Sequence, residues 1–418
     1  MPQIPQIKTI TLGCRFNFYE SEVSKAIIDK LQPKDNIIVI NTCSVTHEAE
    51  RQSKQAVRKA IRENPEAKII VTGCAAKTAL QYFENLDGVF KVIQNAEKTK
   101  PSEYFDIPHD SSNINFADDI AIEENNQLFE NKSRAFIQIQ NGCDHFCSYC
   151  IVPFTRGRSK SLPLDIILKR IHHFIEIGFK EIVLSGIDIT SYGKDLDYQI
   201  DLSDVILAIL KSNPELRRLR ISSIDPKCIN EKLFELFTQE HRIMPHFHLS
   251  IQSGDNDVLK AMRRRHTRED VIDICNKMLS SRKDIVFGSD FIVGFPTETE
   301  LMFKNTLKLI DEAHLSLLHV FPYSPREGTI AAKMIQIPRE VILNRASILR
   351  QKATEVKHNL FNSLLNHEIS GIIEGTTSEY SFGKTDNFIP FKTKKILLPN
   401  NIIQGKVINF DKDALLIS

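Results

Sequence analysis

Residues 135–150 read AFIQIQNGCDHFCSYC. The first six residues make a strand. Three cysteines, Cys143, Cys147 and Cys150, then crowd into the loop behind it. Working outward, the same order of strand and helix returns. Further strands are EIVLS (181–185), LRISS (219–223), HFHLSIQ (246–252), DFIVG (290–294) and LLHVF (317–321). Helical patterns such as DIILKRIHHFIEIG (165–178) and LMFKNTLKLIDEAH (301–314) lie between them. Six such units without a clear seventh and eighth predict an incomplete (β/α)6 barrel over residues 131–364. A barrel of this kind carries its site at the carboxyl ends of the strands. The cysteine loop follows the first strand, which puts it at that mouth.

Upstream, residues 1–95 also alternate strand and helix. KTITLG (8–13) runs into Cys14, NIIVIN (36–41) leads to Cys43, and KIIVT (68–72) leads to Cys74. Val23, Ile27 and Leu31 mark one amphipathic helix, and a polar helix is expected from about His47 to Glu63. Alternation of this kind predicts a parallel sheet with helices on both faces. The three cysteines take the same place in successive units, the carboxyl end of a strand, where ligands bind in open α/β sheets. They are therefore expected to converge, although a Gly-Cys at one strand end can be mere packing. The N-terminal domain is placed at 1–130, with 100–133 an acidic, Asn-rich linker. From 365 to 418 the period shortens to strands separated by glycines and polar turns, which predicts a small antiparallel β-barrel. The fold class is α/β with that barrel appended.

The composition narrows the function. Fifty-four Lys and Arg face 53 Asp and Glu, a net charge of +1. No global field attracts a polyanion, so any nucleic-acid surface must be a local patch. MPQIPQIKTI has no apolar signal core, and the longest purely apolar run is VILAIL (205–210). A cytoplasmic protein without membrane spans is expected. Eight cysteines in 418 residues are too few for a disulfide framework and are expected as thiols, metal ligands or redox groups. Cys275 sits at helical spacing with Val271, Ile274 and Met278 and reads as packing, as does Cys228.

Cys-x-x-x-Cys-x-x-Cys supplies three thiolates from one loop. A structural zinc site wants four protein ligands, usually as two pairs, and no fourth ligand follows here. A cubane iron–sulfur cluster on three thiolates keeps one iron open. A zinc-stabilised RNA-binding module is the non-enzyme alternative.

Cys143, Cys147 and Cys150, with Tyr149 before the last, resemble the radical S-adenosylmethionine (SAM) motif. In that superfamily the open iron chelates SAM, and the reduced cluster cleaves it to a 5′-deoxyadenosyl radical. The stretches NGCDHFCSYCIVPFTRGRSKS, HLSIQSGDNDVLKAMRRRHTRED, DFIVGFPTETE and HVFPYSPREGT are similar to the methylthiotransferase branch. TLGCRFNFYESE, NTCSVTHEAERQSKQ and VTGCAAK resemble its MtaB type, and Val45-Thr46 after Cys43 matches that type. Phe18 departs from it, where a Gln is usual. The resemblance spans essentially the whole chain. It implies an N-terminal domain holding a second 4Fe–4S cluster on Cys14, Cys43 and Cys74, a radical SAM barrel and an RNA-binding TRAM barrel. It also implies methylthiolation of carbon 2 of N6-threonylcarbamoyladenosine beside the anticodon of tRNA. One SAM methylates sulfur and a second gives the radical. An isopentenyladenosine or a ribosomal-protein aspartate is the alternative substrate. Implied partners are the anticodon stem-loop, a flavodoxin- or ferredoxin-like electron donor and a sulfur donor, with the enzyme a monomer.

Other residues carry two readings each. Gly186 lets backbone approach the SAM amino group, or is an ordinary tight turn. Ser223 bonds SAM or caps a turn. Gln252 faces the mouth as a polar contact or is structural. Gly294 and Phe295 resemble the adenine-binding segment, though Gly-Phe-Pro is also a generic turn. His246 and His248 share a strand face with no third ligand spaced beside them, so an interior hydrogen bond is expected. Arg51, Lys54, Arg58 and Arg62 form a helix stripe, and Arg263, Arg264 and Arg265 are consecutive; either set is a solvated face or an RNA contact. Arg156 and Arg158 are expected to meet RNA phosphate. On the C-terminal barrel Lys392, Lys394 and Lys395 must form a one-sided patch, with Phe382, Phe388 or Phe391 to stack on bases.

Overall fold

The computed structural model describes residues 5–104, 106–107 and 132–418. Its first domain is a four-stranded parallel sheet, β1 (Ile7–Thr11), β2 (Ile37–Thr42), β3 (Lys68–Gly73) and β4 (Val89–Val92), in the order 1-2-3-4. Helix α1 (Arg15–Leu31) covers one face. The other face carries α2 (His47–Glu63) and, beyond the short α3 (Cys74–Thr78), α4 (Leu80–Glu84). The strands obey alternation: Ile37 and Val39 join Val23 and Ile27 of α1, while Ile38 and Ile40 join Val57 and Ala60 of α2. Helices on both faces is the expected layering. Thr46 caps α2 by accepting the Ala49 N–H at 3.1 Å, which fixes its start two residues past the Cys43–Ser44 corner.

The expected linker begins otherwise. Pro101–Tyr104 is a 3-10 turn, and Tyr104 is buried with its hydroxyl donating to the Lys98 carbonyl at 2.7 Å. Those residues belong to the first domain. The remainder of the linker, residues 105 and 108–131, lies outside the described residues.

The central domain holds β5 (Ala135–Asn141), α5 (Val152–Arg156), β6 (Lys160–Ser161), α6 (Leu164–Glu176), β7 (Glu181–Gly186), α7 (Leu202–Ser212) and β8 (Arg218–Ile221). It continues with α8 (Glu231–Gln239), β9 (His246–Gln252), α9 (Asn256–Ala261), α10 (Arg268–Ser281), β10 (Val286–Val293), α11 (Glu300–Glu312) and β11 (Leu315–Pro322). Six parallel strands run in the order 5-7-8 and 9-10-11, joined by bridges from Leu219 to Ile243 and Ile224 to Leu249. The two-residue β6 pairs antiparallel on the free side of β5. Ile182, Leu184, Leu219, Ile221, Phe247 and Leu249 pack toward the helices. The opposite face of the same strands carries Glu181, Arg218, Arg220, His248 and Asp290, so the lumen is polar. This is the incomplete barrel the sequence predicts.

The apolar core is continuous between the two domains. Tyr19, Val23 and Ile27 of α1 share it with Ile137 and Ile139 of β5. Phe18 stands edge-on to Phe136 with centroids 6.3 Å apart. At the position that departs from the family pattern, the ring is a domain-joining contact.

Helix α12 (Arg339–Ser363) lies along β11 and leads to a closed barrel of β12 (Glu368–Thr376), β13 (Ser381–Thr385), β14 (Pro390–Thr393), β15 (Ile402–Phe410) and β16 (Leu415–Ile417). Four of its five pairings are antiparallel; β14 and β16 pair parallel. This barrel docks on the amino ends of the central strands, opposite the cysteine loop. Arg218 bridges Glu181 and Asp386, Arg220 Nε donates to Glu181 at 2.8 Å, and Phe388 stacks on His246 with centroids 4.9 Å apart.

Candidate active site

Sheet register assembles the first thiol trio. Thr42 pairs with Gly73, so the next residues, Cys43 and Cys74, leave the sheet side by side. The Leu12 N–H donates to the Asn41 carbonyl at 2.9 Å, which brings the end of β1 alongside. Gly13 then turns with φ +93°, and a Cβ there would fall 2.8 Å from Cys43 Sγ. Only glycine fits that approach. Gly73, at φ +98°, has even less room: a Cβ would lie 2.2 Å from the Thr42 carbonyl. Burial pushes the Cys43 thiol up to about 11, and the neighbouring Cys74 and Cys14 thiols add to the shift. The influence of both thiols on Cys43 is a mark of convergence.

Amides brace this corner. Asn17 Nδ2 donates to the carbonyls of Leu12 at 2.8 Å and Thr42 at 3.0 Å. Asn41 Nδ2 donates to the Asn17 carbonyl at 2.8 Å. Asn95 Nδ2 reaches Cys74 Sγ at 3.6 Å and the Thr155 carbonyl at 3.0 Å. Thr155 belongs to α5, the helix that follows Cys150, so the two cysteine sites lie on either side of one short contact between α3 and α5.

The second trio is local. The Cys143 N–H donates to the Gly157 carbonyl at 3.2 Å and closes the loop, and the Cys150 N–H donates to the Cys147 carbonyl at 2.9 Å. Ser148 Oγ donates to the Ala261 carbonyl at 2.8 Å and pins the loop to α9. Arg264 Nη1 points to Cys147 Sγ at 3.6 Å. Burial raises Cys143 to about 11, with Asp188 and Cys147 adding, and Cys150 to about 12, with Cys147 and Cys143 adding. Three soft thiols gathered in one place fit a cationic iron–sulfur centre. Both trios have this property.

The expected SAM contacts line one rim. Gly186, Gln252 and Gly294 stand at the carboxyl ends of β7, β9 and β10, and exposed Ser223 lies two residues beyond β8. Gln252 takes φ +75°, a left-handed conformation that costs a non-glycine residue about 1–3 kcal/mol. The Gly294 N–H donates to Glu298 Oε1 at 3.1 Å, and Arg345 Nη1 reaches the same carboxylate at 2.8 Å. Phe295 is wholly buried, so that segment offers backbone alone. Tyr149 packs against the same cluster as Phe295 and Tyr323, and burial with the adjacent Cys147 raises its phenol.

The expected RNA contacts divide. Arg156 is the correction. Its side chain is 1% exposed, and its two guanidinium nitrogens bind Glu20 at 2.9 and 3.0 Å and Asn17 at 2.6 Å. A guanidinium so enclosed is not offered to phosphate. Arg158 is exposed, pairs with Asp144 at 3.0 Å and lies over the Phe146 ring. Phe146 and Phe154 form an exposed edge-to-face pair beside it. On the C-terminal barrel Lys394 is exposed, Lys392 pairs with Asp411 at 2.8 Å, and Lys395 donates to the Ser418 carbonyl at 3.2 Å. Phe391 is buried and Phe388 is held between His246 and Arg220, which leaves Phe382 exposed for stacking. In the α2 stripe Arg51 pairs with Glu48 and Lys54 with Glu50, while Arg58 and Arg62 stay exposed.

Sequence spacing missed a lumen cluster. His248 Nε2 and His319 Nδ1 both lie 3.0 Å from Asp290 Oδ1. The third ligand-type group beside His248 comes from the neighbouring strand, invisible to spacing along one strand. The interior hydrogen bond expected for His248 is the one to Asp290. Cys275 is buried as expected, whereas Cys228 is half-buried and accepts from Arg265 Nη2 at 3.4 Å.

Comparison with known proteins follows the same division. Residues 137–310 match the Radical SAM superfamily, and residues 6–94 match a family described as Uncharacterized protein family UPF0004. The chain is 44% identical to the Threonylcarbamoyladenosine tRNA methylthiotransferase MtaB of Rickettsia prowazekii, across 96% of this chain and 95% of that one. It is 36% identical to the protein of the same name in Bacillus subtilis, across 95% and 92%. A tRNA-2-methylthio-N(6)-dimethylallyladenosine synthase of Alkaliphilus oremlandii is 31% identical across 97% and 87%. Among solved structures, the radical SAM methyltransferase TsrM of Kitasatospora setae has a TM-score of 0.52 at 11% identity, covering 77% of each chain, a likeness of fold. No described helix is long and apolar enough to cross a membrane. The superfamily makes this an iron–sulfur, SAM-dependent enzyme and removes the zinc-module alternative. The chain belongs to the MtaB-type family of radical SAM methylthiotransferases.

Proposed function

We propose that the protein methylthiolates carbon 2 of N6-threonylcarbamoyladenosine at position 37, beside the anticodon of tRNA. The observation that carries this reading is the pair of thiol trios on adjoining domains, separated by the contact of α3 with α5. In this reading Cys143, Cys147 and Cys150 hold one 4Fe–4S cluster, and Cys14, Cys43 and Cys74 hold the other. When bound, the first supplies reductive SAM cleavage and the second presents sulfur for methylation by another SAM and for insertion.

The chain's own residues perform the rest. Gly186, Ser223, Gln252 and Gly294 offer polar and backbone groups around the mouth, and Tyr149 offers an apolar face backed by the buried Phe295. Arg158 meets phosphate at the rim, where Phe146 and Phe154 provide aromatic faces for unpaired anticodon-loop bases. Lys394, Lys392 and Lys395, with Phe382, extend the contact on the C-terminal barrel. Because that barrel docks on the opposite end of the strands, an RNA touching both surfaces runs along the side of the central domain. A flavodoxin- or ferredoxin-like protein supplies electrons and a separate donor supplies sulfur; the enzyme acts as a monomer in the cytoplasm.

Mass spectrometry of tRNA nucleosides from a deletion strain without a redundant enzyme tests the substrate. The expected result is loss of 2-methylthio-N6-threonylcarbamoyladenosine, with the unthiolated nucleoside accumulating. Persistence of that nucleoside, with loss of the methylthio-isopentenyl form instead, assigns the chain to the other substrate.

A further inference from the structure

A buried charge cluster lies against the N-terminal thiols. Lys98 is fully enclosed, and its Nζ pairs with Glu20 and donates to Asn95 Oδ1 at 2.8 Å. Asn95 reaches on to Cys74 Sγ at 3.6 Å. Arg156 enters from the other domain and grips both oxygens of Glu20 at 2.9 and 3.0 Å, with a third bond to Asn17 at 2.6 Å. Asn17 in turn accepts from Cys14 Sγ at 3.9 Å.

Arg156 and Lys98 share one carboxylate; burial favours the neutral amine of Lys98 and Glu20 opposes that, so charging both leaves one positive charge walled off from water. Burying an uncompensated charge is costly unless an opposite charge stands nearby. The remaining ionisable groups beside Arg156 are the thiols: Cys74 and Cys14 both favour its charged form, after Glu20. Burial works against the charge of Arg156, and Glu20 first, then the neighbouring Cys74 and Cys14, more than offset it. The planar guanidinium is the group suited to a bidentate grip plus a third bond. A structural ion pair would need Glu20 and one cation only.

We propose that Arg156 and Lys98 are positioning residues for the N-terminal cluster: their excess buried positive charge balances its anionic thiolates and raises its reduction potential. The inference rests on the reading that Cys14, Cys43 and Cys74 hold that cluster. Reduction adds negative charge, so a buried cation stabilises the reduced form. Arg156 stands six residues after Cys150, so the loop of one cluster supplies the counter-charge of the other.

The test uses the reconstituted full-length chain carrying Cys143→Ala, Cys147→Ala and Cys150→Ala, which leaves the N-terminal site as the one to be read. About four irons per chain confirm the underlying reading, and no iron sinks that reading separately. Potentials are then followed by electron paramagnetic resonance. Arg156→Gln is expected to cut the reduced-to-oxidised ratio at least tenfold at fixed potential, about 59 mV downward for one electron. Lys98→Gln shifts it in the same direction, and Arg156→Lys restores most of it. Equal potentials in parent, R156Q and K98Q overturn the proposal, as does R156K falling as far as R156Q. If R156Q fails to retain iron, K98Q and R156K decide by the same criteria.

Discussion

Cys143, Cys147 and Cys150 share one loop of eight residues, whereas Cys14, Cys43 and Cys74 come from the ends of three strands. The first site is held by local turns, the bonds of Ser148 to the end of α9 and one arginine. The second depends on sheet register, two left-handed glycines, three asparagines and an ion cluster that reaches from another domain. A loop site tolerates changes elsewhere in the fold. A register site collects them, because every strand end is a ligand position. The thiols at the barrel mouth are also half-exposed, whereas the N-terminal trio is mixed, with Cys43 and Cys74 buried and Cys14 exposed. An open face suits a site that must admit a small molecule, and Cys14 gives the N-terminal site one as well.

The largest expected effect separates the two sites by metal content. The anaerobically reconstituted protein is expected to carry about eight irons and matching sulfide, and removing either cysteine trio halves both. Loss of all iron on removing one trio would mean that the sites assemble together, against the comparison.

Next comes the interface at the far end of the barrel. Glu181 is buried, but Arg220, Arg218 and Arg134 hold its carboxyl down at about 2. A lowered folded-state value means that the unfolded chain takes up the proton first. The stabilisation is therefore complete above about 4.5 and is lost as pH falls toward 2, amounting to roughly 3 kcal/mol. Glu181→Gln is expected to flatten that stretch of the acid-unfolding curve. It should also cost roughly 3–5 kcal/mol at neutral pH, because buried arginines lose their partner. Near-ultraviolet circular dichroism of the apoprotein reads both, and an unchanged acid limb contradicts the assignment.

Gly73→Ala sharpens the register argument. The left-handed φ and the approach of the Thr42 carbonyl predict a loss of roughly 2–4 kcal/mol and preferential loss of the N-terminal irons. Gly157→Ala, also left-handed but with open space around it, is expected to cost less. Equal effects in thermal melts would show that packing against Thr42 and Asn41 is not what holds the corner.

The smallest effect concerns RNA. Lys394→Ala is expected to weaken binding of the anticodon stem-loop severalfold and to lower the salt slope by about one. Lys392→Ala should do less, because Asp411 already pairs with it. The reverse order would relocate the patch.

The strand–cysteine repeats were readable because alternation and strand ends are local properties of a sequence. That is why the layering, the six-strand partial barrel and both thiol trios follow from it. Arg156 was misjudged for a physical reason. An arginine after a cluster loop looks like a phosphate contact until a partner domain supplies Glu20 and Asn17, 136 and 139 residues away. Lys98 and the His248–Asp290–His319 cluster were hidden likewise, since each is defined across strands or domains. Phe391 and Phe388 were expected to stack on bases, but barrel closure buries one and docking captures the other. Features borne along one strand could be read from the sequence, and contacts made between neighbouring strands or by docking could not.

The division of labour between the two trios is tested most directly by assaying Cys147→Ala and Cys43→Ala side by side. Each is supplied with SAM, a strong reductant and tRNA bearing N6-threonylcarbamoyladenosine, and 5′-deoxyadenosine and the methylthiolated nucleoside are quantified together. Cys147→Ala is predicted to lose both products. Cys43→Ala is predicted to retain 5′-deoxyadenosine formation and lose the nucleoside. Equal loss of 5′-deoxyadenosine in the two variants would contradict the account.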